Sequence, residues 1–239
     1  MRILLLDDSA SVNDLFANVL RRELGEEIVP MASVGDLEHA LELGERFDIA
    51  IVDLSFPEER RTGLEALLAI HLQHPSTLLA VISQGDSYVA QLLRDVWELL
   101  PIATVISKAA PITFQIDQVR QLLKVGSAPV DPSVQLLLPS NRSMSRSLDG
   151  FHRLVGHVGH AKVWEALFVS SEDVSYRDVV GSTGLRLNTV KNYRAQLLPE
   201  LANHGMVEPS LREMRDFAVR CRPILQRCID EVRAKAKAK

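Results

Sequence analysis

Short apolar runs alternate with longer amphipathic segments through the first 126 residues of the chain. The unbroken run at 3–6 is typical of a strand that is buried on both faces of a parallel sheet. Four further strands are predicted, at 27–33, 48–54, 77–83 and 103–107. Pro30 lies within the second of them and indicates an edge strand, because proline cannot donate a ladder hydrogen bond.

Segments with apolar residues at helical spacing follow each of these strands. The predicted helices span 11–24, 34–47, 63–74, 87–100 and 111–126. In the first helix the residues expected to face inward are Val12, Leu15, Phe16, Val19 and Leu20. Repeated strand–helix units require a parallel sheet with right-handed crossovers and helices on both faces. We therefore predict an α/β fold with a doubly wound five-stranded parallel sheet over residues 1–126.

The alternation stops after residue 126. Residues 127–150 contain three prolines and six serines around one short apolar stretch, and we interpret them as a linker. Residues 151–239 form an all-helical second domain in this prediction, with Val163, Trp164 and Leu167 packed beneath a helical pair. The segment 208–239 predicts one or two added helices, which could serve dimerisation.

Composition narrows the class of protein. The chain is 46% hydrophobic but only 5% aromatic, so its cores must be mainly aliphatic. No apolar run approaches the roughly 20 residues that cross a bilayer, and the N-terminal run is too short for a signal peptide. Cys221 and Cys228 cannot form a disulfide framework, so we expect a cytoplasmic protein with no membrane partner.

Charge is divided unevenly along the chain. Residues 1–150 have 12 Lys and Arg against 21 Asp and Glu, a net charge of −9. Residues 151–239 have 15 against 10, a net charge of +5. A basic second part indicates a surface that could face nucleic acid, although uneven solvated surfaces would give the same counts.

Polar side chains follow four of the predicted strands. They are Asp7 and Asp8, Asp53, Ser83 and Lys108. Ligands of parallel sheets gather at the carboxyl ends of the strands, so these side chains are expected on one rim. A single acid at a strand end is more often a cap or a loop residue. Three acids together favour a hard divalent cation, and the lysine and hydroxyl could neutralise a transferred phosphoryl group.

Residues 1–126 resemble the receiver domain of two-component response regulators. The matching motifs are "LLLDDS" at 4–9, "IVDLSFP" at 51–57, "VIS" at 81–83 and "ISKAA" at 106–110. The resemblance implies strand order 2-1-3-4-5 and makes Asp53 the phosphoacceptor. It also implies an Mg²⁺ (or Mn²⁺) site formed by Asp8, Asp7, Asp53 and the backbone carbonyl of Ser55.

The resemblance also assigns a phosphoryl-sensing set. Ser83 contacts the phosphoryl group and Lys108 pairs with Asp53 or with the phosphoryl oxygens. The family commonly has an aromatic switch residue where this chain has Val105, and alanine where it has Gln84. The insert "EERRT" at 58–62 makes one loop longer than usual; it could gate the metal, touch a partner or do nothing. These departures leave the coupling of phosphorylation to output open.

The stretch 175–198 has the pattern of a helix-turn-helix. Ser175 can cap a short helix that buries Val179 and Val180, Gly184 fits the turn, and a second helix buries Val190, Tyr193 and Leu197. The outer face of the second helix is polar and basic, with candidate DNA contacts at Arg186, Asn188, Thr189, Lys191, Asn192 and Arg194. An ordinary helical hairpin with a solvated basic face would show the same pattern.

This stretch is similar to the NarL/LuxR-type helix-turn-helix, although Pro199 is expected to break the second helix early. A winged helix is the alternative shape. His152, His157 and His160 cluster ahead of it, and a surface role is favoured over a metal site because no cysteine or acid pair accompanies them.

Together the resemblances imply a response regulator. A sensor histidine kinase would phosphorylate Asp53, and a homodimer would bind DNA to regulate transcription. Such a protein is not an enzyme beyond its own phosphotransfer. Two alternatives stay open, an adaptor that binds proteins and a DNA-binding regulator that works without phosphorylation; a hydrolytic enzyme is disfavoured because no further catalytic domain follows.

Overall fold

The computed structural model describes residues 1–59, 61–85, 87–140 and 148–238, with the side chains of 58, 87 and 88 left out. Arg60 of the charged insert and residues 141–147 of the predicted linker therefore lie outside the described residues. The chain divides into two compact units, Met1–Arg142 and Ser143–Lys239. Each unit is described by itself below.

The first unit is built on a five-stranded parallel sheet. Its strands are β1 (Arg2–Leu6), β2 (Glu27–Met31), β3 (Ile49–Asp53), β6 (Leu78–Ser83) and β7 (Ile102–Ser107). Their order in the sheet is β2-β1-β3-β6-β7, which confirms the predicted order 2-1-3-4-5. The three middle strands are the continuous apolar runs of the sequence, and Pro30 lies on the edge strand β2 as predicted.

Four helices connect these strands, and a fifth follows the last one. They are α1 (Ala10–Leu24), α2 (Val34–Glu42), α3 (Gly63–Gln73), α4 (Ser87–Leu99) and α5 (Ile112–Val125). One core layer joins α1 and α5 to alternate residues of the strands, including Ile3, Leu5 and Ile51. The α/β prediction for this part of the chain is thus confirmed.

The inward face of α1 differs from the prediction at two positions. Val12 and Leu15 are 53% and 68% exposed, whereas Asn13 is 3% exposed. The Asn13 amide donates to the Met31 carbonyl at 2.7 Å, which anchors α1 over the ends of β1 and β2. A polar residue therefore takes the inward position that hydrophobic spacing alone assigned to its neighbours.

Two small elements were not predicted. Strands β4 (Ser55–Phe56) and β5 (Arg61–Thr62) form an antiparallel hairpin after β3, with a 3-10 turn at Pro57–Glu59 between them. A short helix, α6 (Pro132–Gln135), lies within the stretch that we predicted as linker, and its Val134 is 1% exposed. The first part of that stretch is therefore packed against the first unit.

The described part of the second unit consists of helices. They are α7 (Leu148–Leu154), α8 (Val158–Val169), α9 (Tyr176–Thr183), α10 (Leu187–Asn203), α11 (Leu211–Arg220) and α12 (Arg222–Lys237). The all-α prediction is confirmed, and residues 148–238 contain no strand that could form a wing.

Helix α8 is the centre of the second unit. Trp164 is fully buried, and its indole N–H donates to the Leu154 carbonyl at 2.8 Å. Helices α11 and α12 pack against α8, with Phe217 and Leu225 buried. The added C-terminal helices thus complete the core of this unit. Across the described residues, no helix combines the length and apolar character that a membrane crossing requires.

Candidate functional site

Strands β1 and β3 bring three acids to one edge of the sheet. Leu6 pairs with Val52 in parallel register, so the residue after β1, Asp7, lies level with Asp53 at the end of β3. One carboxylate oxygen from each of Asp7, Asp8 and Asp53 lies within 4.8 Å of the other two. Asp7 and Asp53 are buried and Asp8 is exposed. The cluster is open to solvent on one side and suits a hard cation with oxygen ligands.

Lys108 joins the two buried acids. Its Nζ lies 2.7 Å from Asp7 Oδ2 and 2.9 Å from Asp53 Oδ2. The lysine follows β7, and its backbone N–H donates to the Ser83 carbonyl at 2.8 Å, which fixes the loop that presents it. The side chain that lies two strands away from Asp53 thus reaches the acid at hydrogen-bonding distance.

Burial and charge oppose each other in this cluster. Burial raises the pKa of Asp53 above its ordinary value, and the attraction and hydrogen bond of Lys108 only partly offset that rise. Burial lowers the pKa of Lys108, but the hydrogen bond that it donates to Asp7 and the charge of Asp53 outweigh this effect, so the net shift of the Lys108 pKa is upward. One lysine thus faces two buried carboxylates, Asp7 and Asp53. A further positive charge at this site would therefore be stabilised.

Ser83 ends β6 on the same rim. The residue is 1% exposed, and its hydroxyl oxygen accepts the Gly85 N–H at 3.1 Å. Gln84 beside it is exposed. Val105, at the position where an aromatic switch is common in receivers, is fully buried in β7 and pairs with Val81. No aromatic side chain occupies that position.

Gly63 is a site residue that the sequence did not reveal as one. A Cβ on this residue would lie 2.0 Å from the Asp53 carbonyl oxygen, so α3 begins directly against the backbone of Asp53. Only glycine permits this approach. In the sequence Gly63 indicates only the start of a helix, because close backbone approach leaves no hydrophobic signal.

The charged insert is tied to helix α2. Glu59 accepts the Val34 N–H with both carboxylate oxygens, at 3.0 and 3.2 Å, and so adds to the N-cap Ser33 at the start of α2. Arg61 pairs with Glu38 at 2.7 Å. Ser55, whose carbonyl was expected to complete the metal site, begins β4 opposite Thr62. The insert therefore supports the loop that follows Asp53 through its hydrogen bonds and ion pair with α2.

The second unit contains the predicted pair of helices. Helix α9 begins at a capping box between Ser175 and Asp178, and Gly184 ends it with a φ of +68°. Val179, Val190 and Leu197 are buried as predicted. Helix α10 continues through Pro199 to Asn203, so the expectation that proline ends it early is wrong.

The outer face of α10 presents most of the predicted DNA-contact residues. Arg186, Asn188, Lys191 and Asn192 are exposed, and Thr189 is half-buried. Lys191 lies over the Tyr176 ring, with Nζ 5.7 Å from its centroid.

Arg194 has a different environment. It is half-buried and donates to the Pro209 carbonyl at 2.6 Å, which ties α10 to the loop before α11. Arg194, which was predicted to lie on the outer face of α10, therefore makes a contact within the second unit. Helical spacing alone could not distinguish this contact from an exposed position.

Two of the three histidines pack together. The rings of His157 and His160 are 3.9 Å apart, with Tyr193 on α10 against both. His160 bonds Gln196 at 3.0 Å, and burial lowers its pKa. His152 instead faces Glu231 at 3.7 Å. Among the described residues, only the aspartate cluster gathers three possible metal ligands.

No protein-family model and no curated protein matches the chain. Among solved structures, the two-component response regulator RcsB in complex with DNA is 16% identical, with a TM-score of 0.50 over 92% of this chain and 98% of that one. RcsB of Salmonella typhimurium is 17% identical, with a TM-score of 0.49 over 91% and 98%. A CheY-like receiver domain protein from Methanospirillum hungatei is 22% identical, with a TM-score of 0.44 over 52% and 93%. At these identities the RcsB–DNA likeness shows a shared fold.

Proposed function

We propose that this protein is a response regulator that accepts a phosphoryl group on Asp53 and binds DNA through α10. The observation that supports it best is the bridge from Lys108 to Asp7 and Asp53, at 2.7 and 2.9 Å, on the rim where β1 and β3 end. A buried carboxylate with a fixed cation beside it is a positioned nucleophile with its charge compensation in place.

These contacts support phosphotransfer at Asp53. A carboxylate oxygen of Asp53 attacks phosphorus, the bond from phosphorus to the donor's leaving group breaks, and an acyl phosphate forms. The ammonium of Lys108 can pair with the Asp53 carboxylate before the transfer and with the phosphoryl oxygens after it. Ser83 lies one residue beyond the partner of Asp53 in β6 and can donate its hydroxyl proton to another phosphoryl oxygen.

The aspartate cluster fits a divalent cation. Three carboxylate oxygens within 4.8 Å of one another repel unless a cation or a proton joins them. Asp8, Asp7, Asp53 and the Ser55 carbonyl would hold Mg²⁺ or Mn²⁺, which when bound neutralises charge on the phosphoryl group. Glu59 and Gly63 serve this site as positioning residues, because they fix the loop that follows Asp53.

DNA binding is proposed for the exposed face of α10. Arg186, Asn188, Lys191 and Asn192 can reach phosphates or base edges, with Thr189 at the margin. Arg194 is left out of this set because it is engaged with Pro209. The proposal makes the protein a cytoplasmic homodimer whose phosphodonor is a sensor histidine kinase, and its only chemistry is its own phosphotransfer.

Incubation with acetyl phosphate and Mg²⁺, followed by intact-mass measurement, tests the proposed phosphorylation of Asp53. The wild type should gain one phosphoryl group, and Asp53→Asn should gain none. Asp117→Asn, an exposed acid on α5, is the matched control and should label normally. Unmodified wild type, or full labelling of Asp53→Asn, would overturn the assignment.

A salt titration tests the proposed DNA binding. Binding to a random-sequence duplex should weaken steeply with added salt, because basic residues that neutralise phosphates release counterions. Absence of salt-dependent binding to any duplex would reject DNA as the partner.

A further inference from the structure

Residues 129–138, called the strap here, are bonded to the edge strand β7. The Asp131 N–H donates to the Val105 carbonyl at 3.2 Å, and the Thr104 hydroxyl donates to the Pro129 carbonyl at 3.0 Å. Asp131 and Val134 are only 5% and 1% exposed. A stretch whose composition is typical of a linker is therefore docked like part of the core.

Two helices hold the strap from either side. From α5, the Gln118 amide donates to the Pro129 carbonyl at 2.8 Å. From α4, the Arg94 guanidinium donates to the Leu137 carbonyl at 2.8 Å. The strap thus crosses the α4–β7–α5 face of the unit, and the chain continues from it through residues 141–147 into the second unit.

The strap also lies against the turn that follows Ser83. A Cβ on Gly85 would lie 3.0 Å from Val134 Cγ1 and 3.4 Å from Leu137 Cδ1. Gly85 has a φ of +75°, and its N–H is held by the Ser83 hydroxyl oxygen. Any change in how Ser83 bonds must therefore be accommodated at a point that the strap covers.

We propose that the strap takes the place of the missing aromatic switch, and that phosphoryl binding at Asp53 loosens it. The inference rests on the proposed function. When the Ser83 hydroxyl turns toward a phosphoryl oxygen, Gly85 loses the acceptor of its N–H and the turn rearranges. Close packing leaves Val134 no room to adapt in place, so the strap shifts.

Coupling of this kind is reciprocal. If phosphoryl binding weakens the strap, then weakening the strap must favour phosphoryl binding by the same factor. Val134→Ala removes the side chain that faces Gly85. Leu136→Ala is the matched control, because Leu136 lies in the same strap but is 89% exposed. Thr104→Val removes one strap bond without changing side-chain volume and is a second, milder perturbation.

The experiment uses the full chain and beryllofluoride with Mg²⁺, a phosphoryl mimic for carboxylates. Val134→Ala and Thr104→Val should lower the half-saturating beryllofluoride concentration about fivefold, at the lower end of usual couplings, and Leu136→Ala should leave it unchanged. Hydrogen exchange at the Asp131 and Val134 amides should speed up on binding in the wild type. In Ser83→Ala that response should be absent although beryllofluoride still binds.

The outcomes separate the two proposals. Beryllofluoride binding with unchanged or slower strap exchange would overturn the strap's role while the phosphoacceptor assignment stands. Absence of any beryllofluoride response at Asp53 would overturn that assignment and, with it, phosphoryl control of the strap. Hydrogen exchange of the Gly85 amide tests the contact with Val134 in the absence of a phosphoryl group. Val134→Ala should speed this exchange and Leu136→Ala should not. Equal exchange in both variants would refute the coupling.

Discussion

Replacing Lys108 with methionine tests the electrostatics of the acid rim. The substitution keeps an unbranched side chain that is one heavy atom shorter, but it removes the cation that bonds Asp7 and Asp53, whose side chains are 5% and 8% exposed. Removing one partner of a buried ion pair typically costs about 3–5 kcal/mol, because the other charge stays buried. The Lys108 side chain retains 19% exposure, so we expect the lower end, about 3 kcal/mol of unfolding free energy at about pH 7.

The loss should depend on pH with a definite sign. Burial raises the pKa of folded Asp53, so its carboxylate opposes folding above the unfolded pKa and this penalty disappears as pH falls through the folded pKa. The raised pKa of Lys108 means that its own contribution persists until strongly alkaline pH. The Lys108→Met penalty should therefore be smaller at about pH 4 than at about pH 7, because protonation of Asp53 removes the buried charge that Lys108 compensates.

Urea denaturation followed by circular dichroism measures the effect for wild type, Lys108→Met and the control Lys124→Met. Lys124 is exposed in the last turn of α5, and its substitution should change the unfolding free energy by less than about 0.5 kcal/mol. Added Mg²⁺ should stabilise Lys108→Met more than the wild type, since a cation can replace the lysine. A Lys108→Met penalty below about 0.5 kcal/mol, or one that is equal at about pH 4 and about pH 7, would show that Lys108 does not compensate a buried charge.

Three further predictions concern the surroundings of the site and the second unit. Gly63→Ala should destabilise by about 3 kcal/mol and slow phosphorylation, measured by thermal melts and acetyl phosphate labelling, whereas Gly35→Ala, where a Cβ meets only ordinary contact, should be near neutral. Glu59→Ala removes the acceptor of the Val34 N–H at the start of α2 and leaves the N-cap Ser33 in place, so it should cost about 1 kcal/mol in urea denaturation and slow the labelling. Lys191→Ala should reduce the salt slope of DNA binding by about 1, whereas Arg194→Ala should instead lower the melting temperature.

Much of the first unit could be predicted because its signals are local. Continuous apolar strands, helices with proline and glycine at their ends, and acids at strand ends all follow from short stretches of sequence. The rim residues Asp7, Asp53 and Lys108 lie together because β1 and β3 are neighbours and β7 lies two strands from β3. The β–α alternation indicated the parallel sheet, and the resemblance implied this strand order.

The features that were missed depend on contacts between distant segments. The inward position of Asn13 is set by the Met31 carbonyl, and the role of Gly63 by the backbone of Asp53. The strap looked like a linker because its composition is polar, yet Val134 is buried. Neither periodicity nor composition reports such long-range partners.

The second unit likewise has features that the sequence predicted and features that it did not. Val190 and Leu197 were assigned inward from their spacing, and both are buried. Pro199 was expected to end α10, but buried Leu201 on the same stripe continues the packing beyond it. A proline's local cost was outweighed by tertiary contacts, which the sequence alone could not weigh.

Chemical trapping tests directly whether Asp53 forms an acyl phosphate. The protein is incubated with acetyl phosphate and Mg²⁺, reduced with borohydride and digested, and the peptides are sequenced by mass spectrometry. An aspartyl phosphate is reduced to homoserine, so the account predicts homoserine in place of Asp53 and unmodified Asp7 and Asp8. A reduced residue at any other position, or none in a protein that binds Mg²⁺, would contradict it.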